Sequence, residues 1–329
     1  MKAFTNVNAR DARHAATLAK QVAADGRRAS FAGGGSDLLA LVKDQIVTPD
    51  VIIHLTTIKG ADRVDRSAAG LSIGGLITLD TLSRDQTVRD QYTVLAEAAG
   101  AVATPQIRNV GTLAGNVCQR PWCWYYRNGF PCYKAGGNRC FSVAGENEFH
   151  AIFGGGPSFI VHPSDTAPAL MALGATFSIS GPGGDRRLTA PEFFTSPRQN
   201  AAKENALAGD EVLMAVQIPA AKPGVRSTYK KLMDREAWTH AVVSAAVVLE
   251  MNGDVVRGAR VVLGGVAPIP WRLPAVEKVL TGQKITDAVL REAGEVAVVG
   301  ARPMSQNAYK VPLTRNLVRR TIKELAGRA

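Results

Sequence analysis

The chain has 329 residues, of which 46% are hydrophobic and 20% charged, a balance typical of folded proteins rather than disordered ones. This length predicts two or three compact units, each with its own core. The formal net charge is +11, but the basic residues are dispersed in short pairs such as Arg27-Arg28, so we expect no nucleic-acid partner. No apolar run approaches the roughly 18 residues that span a bilayer, and the N-terminus lacks an apolar signal core, so we expect no membrane span.

Hydrophobic periodicity and turn residues predict a chain of mixed helices and strands. In chain order, the predicted elements are a helix at residues 10–24, strands at 29–32, 51–55 and 71–75, a helix at 94–101, a loop-rich stretch at 106–118, an ordered loop at 118–163, a strand pair at 169–180 and 186–188, a short helix from Pro191, a strand at 212–218, a hairpin at 245–250 and 255–263, and helices at 274–280, 287–299 and 313–325. Residues 219–224 combine two prolines with small residues, which predicts a linker between domains there.

A glycine-rich turn lies between the predicted strand at 29–32 and the helix that follows it. Its residues are Ala32, Gly33, Gly34, Gly35, Ser36, Asp37 and Leu38. Glycines let the backbone approach a ligand and expose N–H groups, and a helix start adds partial positive charge, so a pyrophosphate fits here. A tight turn that needs positive φ explains the same residues. The pattern is neither G-x-G-x-x-G nor a P-loop, which argues against nicotinamide binding or ATP hydrolysis by those folds.

A second turn carries small residues and side chains that can hydrogen-bond phosphate or sugar hydroxyls. Its residues are Gly111, Thr112, Leu113, Ala114, Gly115 and Asn116. Two such loops, separated by predicted strands, could bind opposite faces of one dinucleotide.

All four cysteines of the chain fall within one short stretch, at Cys118, Cys123, Cys132 and Cys140. Disulfides in a secreted fold connect distant segments, whereas four thiols in one loop can converge on a metal centre. Four thiolates suit a tetrahedral zinc site or a four-iron cluster, and the spacing alone does not decide between them. No C-x-x-C pair is present, which disfavours a zinc ribbon because ribbons build each half-site from a close pair.

Three motifs, in this order and spacing, resemble the medium FAD subunits of the xanthine dehydrogenase and carbon monoxide dehydrogenase family: AGGGSDLLALVK, NVGTLAGNVCQR and HPSDTAPALMALGA. The resemblance extends essentially from Met1 to the C-terminus and includes YKKLMDREAWTHAVVSAAVVL. It implies an α+β fold, with a two-part FAD-binding domain of the PCMH or vanillyl-alcohol-oxidase type and a smaller C-terminal domain of a sheet plus helices. The implied bounds are 1–221 for the FAD-binding domain, with parts at about 1–58 and 59–221, and 225–329 for the C-terminal domain.

The resemblance also implies which residues bind FAD. The diphosphate contacts lie at residues 32–38 and at Thr112, Gly115 and Asn116, while Asp165 helps to hold the flavin side and Lys230 approaches the ring. From the residues alone, Asp165 could instead cap the helix that begins near Thr166, and Lys230 could be a surface charge. We expect His162 to be a hydrogen-bonded core or turn histidine, and no side chain stands out as a general base or catalytic group.

A subset of this family, resembling 4-hydroxybenzoyl-CoA reductase and periplasmic aldehyde oxidoreductase, inserts a loop that carries a [4Fe–4S] cluster. This chain has such an insertion at about residues 117–161 and looks closest to the aldehyde oxidoreductase type. Relatives often have a cysteine near the end of the loop, where this sequence reads Gly156-Pro157-Ser158-Phe159, so Cys118 is the candidate fourth ligand if the loop folds back. The residues expected to exclude solvent from the cluster, or to form a plain aromatic core, are Trp122, Trp124, Tyr125 and Tyr126.

The resemblance implies an electron-transfer subunit of a heterotrimer. A large molybdopterin subunit would hydroxylate an aldehyde or heteroaromatic substrate, and a small subunit would pass electrons through [2Fe–2S] clusters to FAD on this chain and on to an external acceptor. The alternatives are a stand-alone flavin oxidase, which predicts turnover by the isolated chain, and a zinc-stabilised scaffold without flavin, which predicts a colourless protein containing zinc. We expect a cytoplasmic location, or a periplasmic one by co-export with a partner that carries a twin-arginine signal.

Overall fold

A computed structural model describes residues 2–237 and 239–327. Four residues lie outside the described ranges: Met1, Trp238, Arg328 and Ala329. All four belong to the predicted domains, and Trp238 also belongs to the quoted segment YKKLMDREAWTHAVVSAAVVL. The first unit is a three-stranded parallel sheet in the order β1-β3-β2 with two helices. Its elements are β1 (Thr5–Asn8), α1 (Ala12–Ala24), β2 (Ala29–Ala32), α2 (Leu38–Lys43) and β3 (Val51–His54). The core of this unit forms because α1 packs Ala15 and Ala19 against the apolar residues Val51 and Ile53 of β3.

The second unit is a five-stranded antiparallel sheet in the order β4-β5-β8-β6-β7, covered by helices. Its elements are β4 (Val64–Ser67), β5 (Gly70–Gly74), α3 (Leu79–Arg84), α4 (Gln86–Gln91), α5 (Thr93–Gly100), α6 (Pro105–Val110), α7 (Leu113–Val117), α8 (Trp124–Arg127), α9 (Thr166–Ala172), β6 (Thr176–Gly181), β7 (Gly184–Thr189), α10 (Ala190–Phe193) and β8 (Val212–Pro219). Between α8 and α9 the chain forms only two short 3₁₀ turns, at Tyr133–Ala135 and Phe141–Val143. The loop predicted at 118–163 is therefore confirmed apart from the single turn of α8 and these two 3₁₀ turns.

The third unit is a four-stranded antiparallel sheet in the order β12-β11-β10-β9, backed by three helices. Its elements are β9 (Val225–Leu232), β10 (Val243–Asn252), β11 (Val255–Gly264), β12 (Trp271–Arg272), α11 (Pro274–Leu280), α12 (Asp287–Val296) and α13 (Lys310–Ala326). The Asn252-Gly253 turn joins β10 to β11 as predicted, and Gly253 supplies the positive φ of +59° that this turn requires. In the described part of the chain, no helix is both long and apolar enough to cross a membrane.

Two of the predicted elements were wrong. The stretch at 106–118, predicted as loop, contains α6 and α7, which are too short to show a helical period but have Thr104 and Thr112 as N-caps. The strand predicted at 169–180 begins only at Thr176, because residues 166–172 form α9. Every residue of α9 is buried, so its sequence lacks the polar face that distinguishes an amphipathic helix from a buried strand.

Candidate cofactor cleft and cysteine loop

A cleft of about 1360 Å³ lies between the glycine turn and the start of α7. Pockets for small molecules usually measure roughly 300–1,000 Å³, so this one suits a longer ligand such as a dinucleotide. Eleven of the predicted cofactor residues line it: Ala32, Gly33, Gly34, Gly35, Ser36, Asp37, Leu38, Thr112, Gly115, Asn116 and Asp165. Lys230 is not among the lining residues.

The glycine turn is built for close backbone approach as well as for turning. A Cβ atom on Gly34 would overlap the carbonyl oxygen of Val110, and one on Gly33 would lie 2.6 Å from Thr112 Oγ1. Gly35 has a φ of +74°, which L-amino acids rarely adopt. The two loops predicted separately thus touch each other, and together they form one wall of the cleft.

The second loop is held by its own hydrogen bonds and by the segment before α9. Thr112 Oγ1 accepts a hydrogen bond from Gly115 N at 3.2 Å and so caps α7. Asn116 Oδ1 accepts hydrogen bonds from Ser164 Oγ and Thr166 Oγ1, both at 2.6 Å. Because the amide oxygen is occupied twice, the amide orientation is fixed, and Asn116 Nδ2 is left as a hydrogen-bond donor beside the cleft.

Asp165 is 3% exposed and belongs to a buried polar network. Its carboxylate accepts hydrogen bonds from Tyr229 Oη at 2.6 Å and from Lys231 Nζ at 2.7 Å. The alternative that Asp165 caps α9 is wrong, because its side chain makes no capping hydrogen bond and Ser164 Oγ accepts from Ala167 N instead. Burial, and then the charge of Asp165, raises the pKa of Tyr229 well above its usual value, so Tyr229 remains a neutral donor to the carboxylate.

The structure places Lys231, rather than Lys230, beside Asp165. The two lysines are neighbours in β9, and successive side chains of a strand point to opposite faces. Lys230 Nζ lies 3.3 Å from Glu324 in α13, with 36% of the side chain exposed. Lys231 is 3% exposed and contacts Asp165. Neither lysine lines the cleft, and the role implied for Lys230, an approach to the flavin ring, stays a prediction.

Asp37 connects the glycine turn to the cysteine loop. Its side chain does not cap α2; it accepts hydrogen bonds from Arg127 Nη2 at 2.6 Å and from Arg120 N at 2.9 Å. The Arg127 guanidinium also lies over the ring of Trp122, 4.2 Å from its centroid. Arg127 lines the cleft, and its Nη1 is buried without a hydrogen-bond partner in the described residues. Sequence reasoning missed Arg127, because nothing in the local pattern pairs it with a residue 90 positions away.

Comparison with known proteins assigns the chain to a family. Residues 2–221 match the FAD binding domain in molybdopterin dehydrogenase, and residues 227–325 match the CO dehydrogenase flavoprotein C-terminal domain. The chain belongs to the FAD-binding subunits of the molybdopterin dehydrogenases. The predicted α+β fold, with a FAD-binding domain followed by a C-terminal domain, is confirmed.

Known relatives match this FAD subunit over nearly its whole length. It is 33% identical over 336 residues to the aldehyde oxidoreductase FAD-binding subunit PaoB of Escherichia coli (strain K12), with all of both chains covered. It is 25% identical to the carbon monoxide dehydrogenase medium chain of Hydrogenophaga pseudoflava, covering 90% of this chain and 89% of the relative. The solved reconstituted CO dehydrogenase from Oligotropha carboxidovorans has the same fold, with a TM-score of 0.79, 22% identity, and coverage of 100% of this chain and 99% of that chain.

Three of the four cysteines in the FAD subunit lie in one group. Cys123 and Cys132 pack with Tyr126 and Leu41. Burial raises the pKa of the Cys123 thiol to about 11; the backbone N–H groups of Tyr126 and Tyr125 oppose this shift, while the nearby Cys140 and Cys132 thiols add to it. Phe141, the neighbour of Cys140 in the chain, packs in the same cluster as Cys123 and Cys132, so these three cysteines lie in one part of the loop.

Cys118 has a different setting. It follows α7, packs against the large core of the second unit and lines the cofactor cleft. Burial raises the pKa of its thiol to about 12. No three His, Cys, Asp or Glu side chains in the described ranges are arranged to hold a single metal ion.

The aromatic residues of the cysteine loop divide into buried and exposed pairs. Tyr125 and Tyr126 are 8% and 2% exposed, and Tyr125 packs edge-on against Phe130, with ring centroids 5.2 Å apart. Trp122 and Trp124 are 45% and 59% exposed. The two tyrosines are therefore buried beside the cysteine group, the two tryptophans are not part of a buried aromatic core, and the exclusion of solvent from a cluster stays a prediction.

His162 is the hydrogen-bonded core histidine that the sequence predicts. It is 4% exposed, and its Nδ1 accepts a hydrogen bond from Ser164 N at 3.3 Å. Burial lowers its pKa to about 3, so the imidazole is neutral at ordinary pH and serves packing rather than proton transfer.

Proposed function

We propose that this chain is the FAD-carrying electron-transfer subunit of a molybdenum-dependent aldehyde oxidoreductase. FAD supplies the redox chemistry when bound, and the protein positions it and sets its electrostatic surroundings. The observation that carries the proposal is the cleft formed where the glycine turn meets the start of α7, lined by eleven of the predicted cofactor residues. The 33% identity over the full chain to an aldehyde oxidoreductase FAD-binding subunit favours an aldehyde over a heteroaromatic substrate for the complex.

The residues around the cleft have distinct roles in this proposal. The bare backbone of Gly33 and Gly34 lets N–H groups approach the diphosphate closely. Asn116 and Arg127 line the cleft and supply further donors, and Arg127, whose Nη1 has no partner in the described part of the chain, adds positive charge for the diphosphate. Asp165 is held rigidly at the cleft wall by Lys231, and we assign it to the flavin side of the cofactor.

We further propose that the cysteine loop holds a [4Fe–4S] cluster, with Cys123, Cys132 and Cys140 as ligands. Their grouping and the buried tyrosines around them support this assignment. The sequence adds Cys118 as the fourth ligand. Because Cys118 packs against the core of the second unit, apart from Cys123 and Cys132, the variant Cys118→Ser tests its assignment as a ligand directly. Loss of iron in this variant supports the assignment of Cys118, and full retention removes Cys118 from the ligand set.

The partners proposed for this subunit are a large molybdopterin-binding subunit and a small [2Fe–2S] subunit in a heterotrimer. The resemblance supports this, and so does the relationship to a carbon monoxide dehydrogenase medium chain. We propose a cytoplasmic location, or a periplasmic one by co-export with the partner that carries the signal. Cell fractionation followed by immunodetection of this chain separates the two.

The decisive experiment is anaerobic purification of the complex, followed by a visible spectrum and assays of flavin, iron and sulfide. We expect FAD to be present, and iron to decrease in Cys123→Ser and Cys132→Ser while FAD remains. Bound FAD with unchanged iron in both variants would contradict the cluster assignment alone. Absence of FAD, or copurification with neither partner, would contradict the proposed function.

A further inference from the structure

Two buried side chains outside the predicted ligand set contact the sulfur atoms of the grouped cysteines. His150 is 7% exposed, and its Nε2 lies 3.4 Å from Cys123 Sγ. Ser142 is fully buried, and its Oγ lies 3.1 Å from Cys140 Sγ. Nothing in the sequence pattern marks either residue, because each is a single polar side chain in a loop without periodicity.

The direction of both hydrogen bonds follows from the chemistry of a cluster ligand. A cysteine that binds iron is a thiolate, which accepts hydrogen bonds and cannot donate them. Ser142 Oγ must then donate to Cys140. The Nε2 atom of His150 likewise faces a sulfur that can only accept a hydrogen bond once Cys123 is a thiolate. The separation of 3.4 Å between His150 Nε2 and Cys123 Sγ lies within hydrogen-bonding distance for a sulfur acceptor. The proton therefore belongs on Nε2, which donates to Cys123.

The position of His150 is fixed through its backbone by the C-terminal unit. The carbonyl oxygen of His150 accepts from Asn307 Nδ2 at 3.0 Å, and that of the preceding Phe149 accepts from Lys310 Nζ at 2.9 Å. Asn147 and Gln306 exchange two further hydrogen bonds, each 2.9 Å long. A substitution of the imidazole leaves these contacts in place, so its effect on the sulfur can be measured without releasing the loop.

We propose that His150 and Ser142 donate hydrogen bonds to the sulfurs of Cys123 and Cys140 and thereby raise the reduction potential of the cluster. This inference rests on the iron–sulfur cluster of the proposed function. Reduction adds negative charge to a cluster, and hydrogen bonds to its sulfurs stabilise the reduced state more than the oxidised state. Both residues act through the cysteines and are positioning residues.

The test is a redox titration of the purified complex, followed by electron paramagnetic resonance and with iron content measured in parallel. We expect His150→Leu and Ser142→Ala each to lower the ratio of reduced to oxidised cluster about tenfold at a fixed potential, equivalent to a shift of about 59 mV for one electron. His150→Gln, whose amide can donate to the same sulfur, retains most of the original potential. His162→Gln is the matched control, since it replaces another buried histidine that has no contact with a sulfur, and it leaves the potential unchanged.

Unaltered potentials in both His150→Leu and Ser142→Ala, with iron retained, would overturn the inference and leave the proposed function standing. If His150→Leu loses its iron, Ser142→Ala alone decides the question by the same criterion. Absence of a cluster signal from the unsubstituted complex would overturn the cluster assignment, and the inference with it.

Discussion

Replacing Lys231 by methionine tests the buried network next to the cofactor cleft. The side chains of Lys231 and Asp165 are 3% and 4% exposed, and their charged atoms are 2.7 Å apart. Removing one partner of a buried ion pair typically costs about 3–5 kcal/mol, because it leaves an uncompensated charge in the interior. Tyr229 still donates to Asp165 in the variant, so we expect the lower end, about 3 kcal/mol, which is more than a hundredfold in the folding equilibrium.

Lys230→Met provides a matched control on the same strand. The Lys230–Glu324 pair is longer, at 3.3 Å, and both side chains are about one third exposed, so its loss is expected to cost less than about 1 kcal/mol. Urea denaturation of the full-length chain, followed by circular dichroism, measures both variants. Combining Lys231→Met with Asp165→Asn removes the unpaired charge and is expected to recover part of the lost stability. Equal costs for the two lysine variants, or no recovery in the double variant, would refute the reasoning.

Three further predictions concern the connections of the cysteine loop and the effect of pH. Arg127→Met breaks the contact with Asp37 and is expected to weaken FAD binding measured by fluorescence titration; unchanged affinity would argue against coupling between the loop and the cleft. Glu204→Gln leaves Lys134, 2% exposed, without its charge partner, and is expected to cost about 3 kcal/mol in urea denaturation; a cost below about 1 kcal/mol would contradict this. Folding lowers the pKa of His162 from 6.5 to about 3, so the unfolded chain binds the proton first as pH falls, and the free energy of unfolding decreases below pH 6.5. His162→Gln should remove up to about 1.4 kcal/mol per pH unit of this decrease, and an identical pH profile would contradict it.

The local features of the fold could be predicted from the sequence wherever one residue type determines the geometry. The strand at Ala29–Ala32 and the glycine turn after it occur as predicted, because glycine alone tolerates the close contacts and positive φ there. The β10-β11 hairpin follows from its Asn252-Gly253 turn. By contrast, α6 and α7 were missed because each is too short to show a helical period. Residues 169–172 of α9 were assigned to a strand because that helix is buried at every residue and has no amphipathic pattern.

The contacts of the candidate site were less predictable than its residues. Motif resemblance supplied the diphosphate residues of the two loops, at 32–38 and at Thr112, Gly115 and Asn116, and these line the cleft. It could not show that Lys231 rather than Lys230 faces Asp165, because this depends on the register and twist of β9 against its neighbour. Likewise, Arg127 meets Asp37 across 90 residues of chain, and the position of His150 depends on hydrogen bonds from α13 and the residues before it. Such long-range pairs leave no local pattern in a single sequence.

The central claim, that FAD occupies the cleft beneath the glycine turn, is tested most directly by the amount of flavin released on denaturing the purified chain. We predict stoichiometric FAD from the unsubstituted chain and from Gly209→Ala, where an added Cβ meets open space. Gly34→Ala is expected to release little or none, because its Cβ would push the turn away from Val110. No flavin from the unsubstituted chain, or equal flavin from Gly34→Ala, would contradict the account.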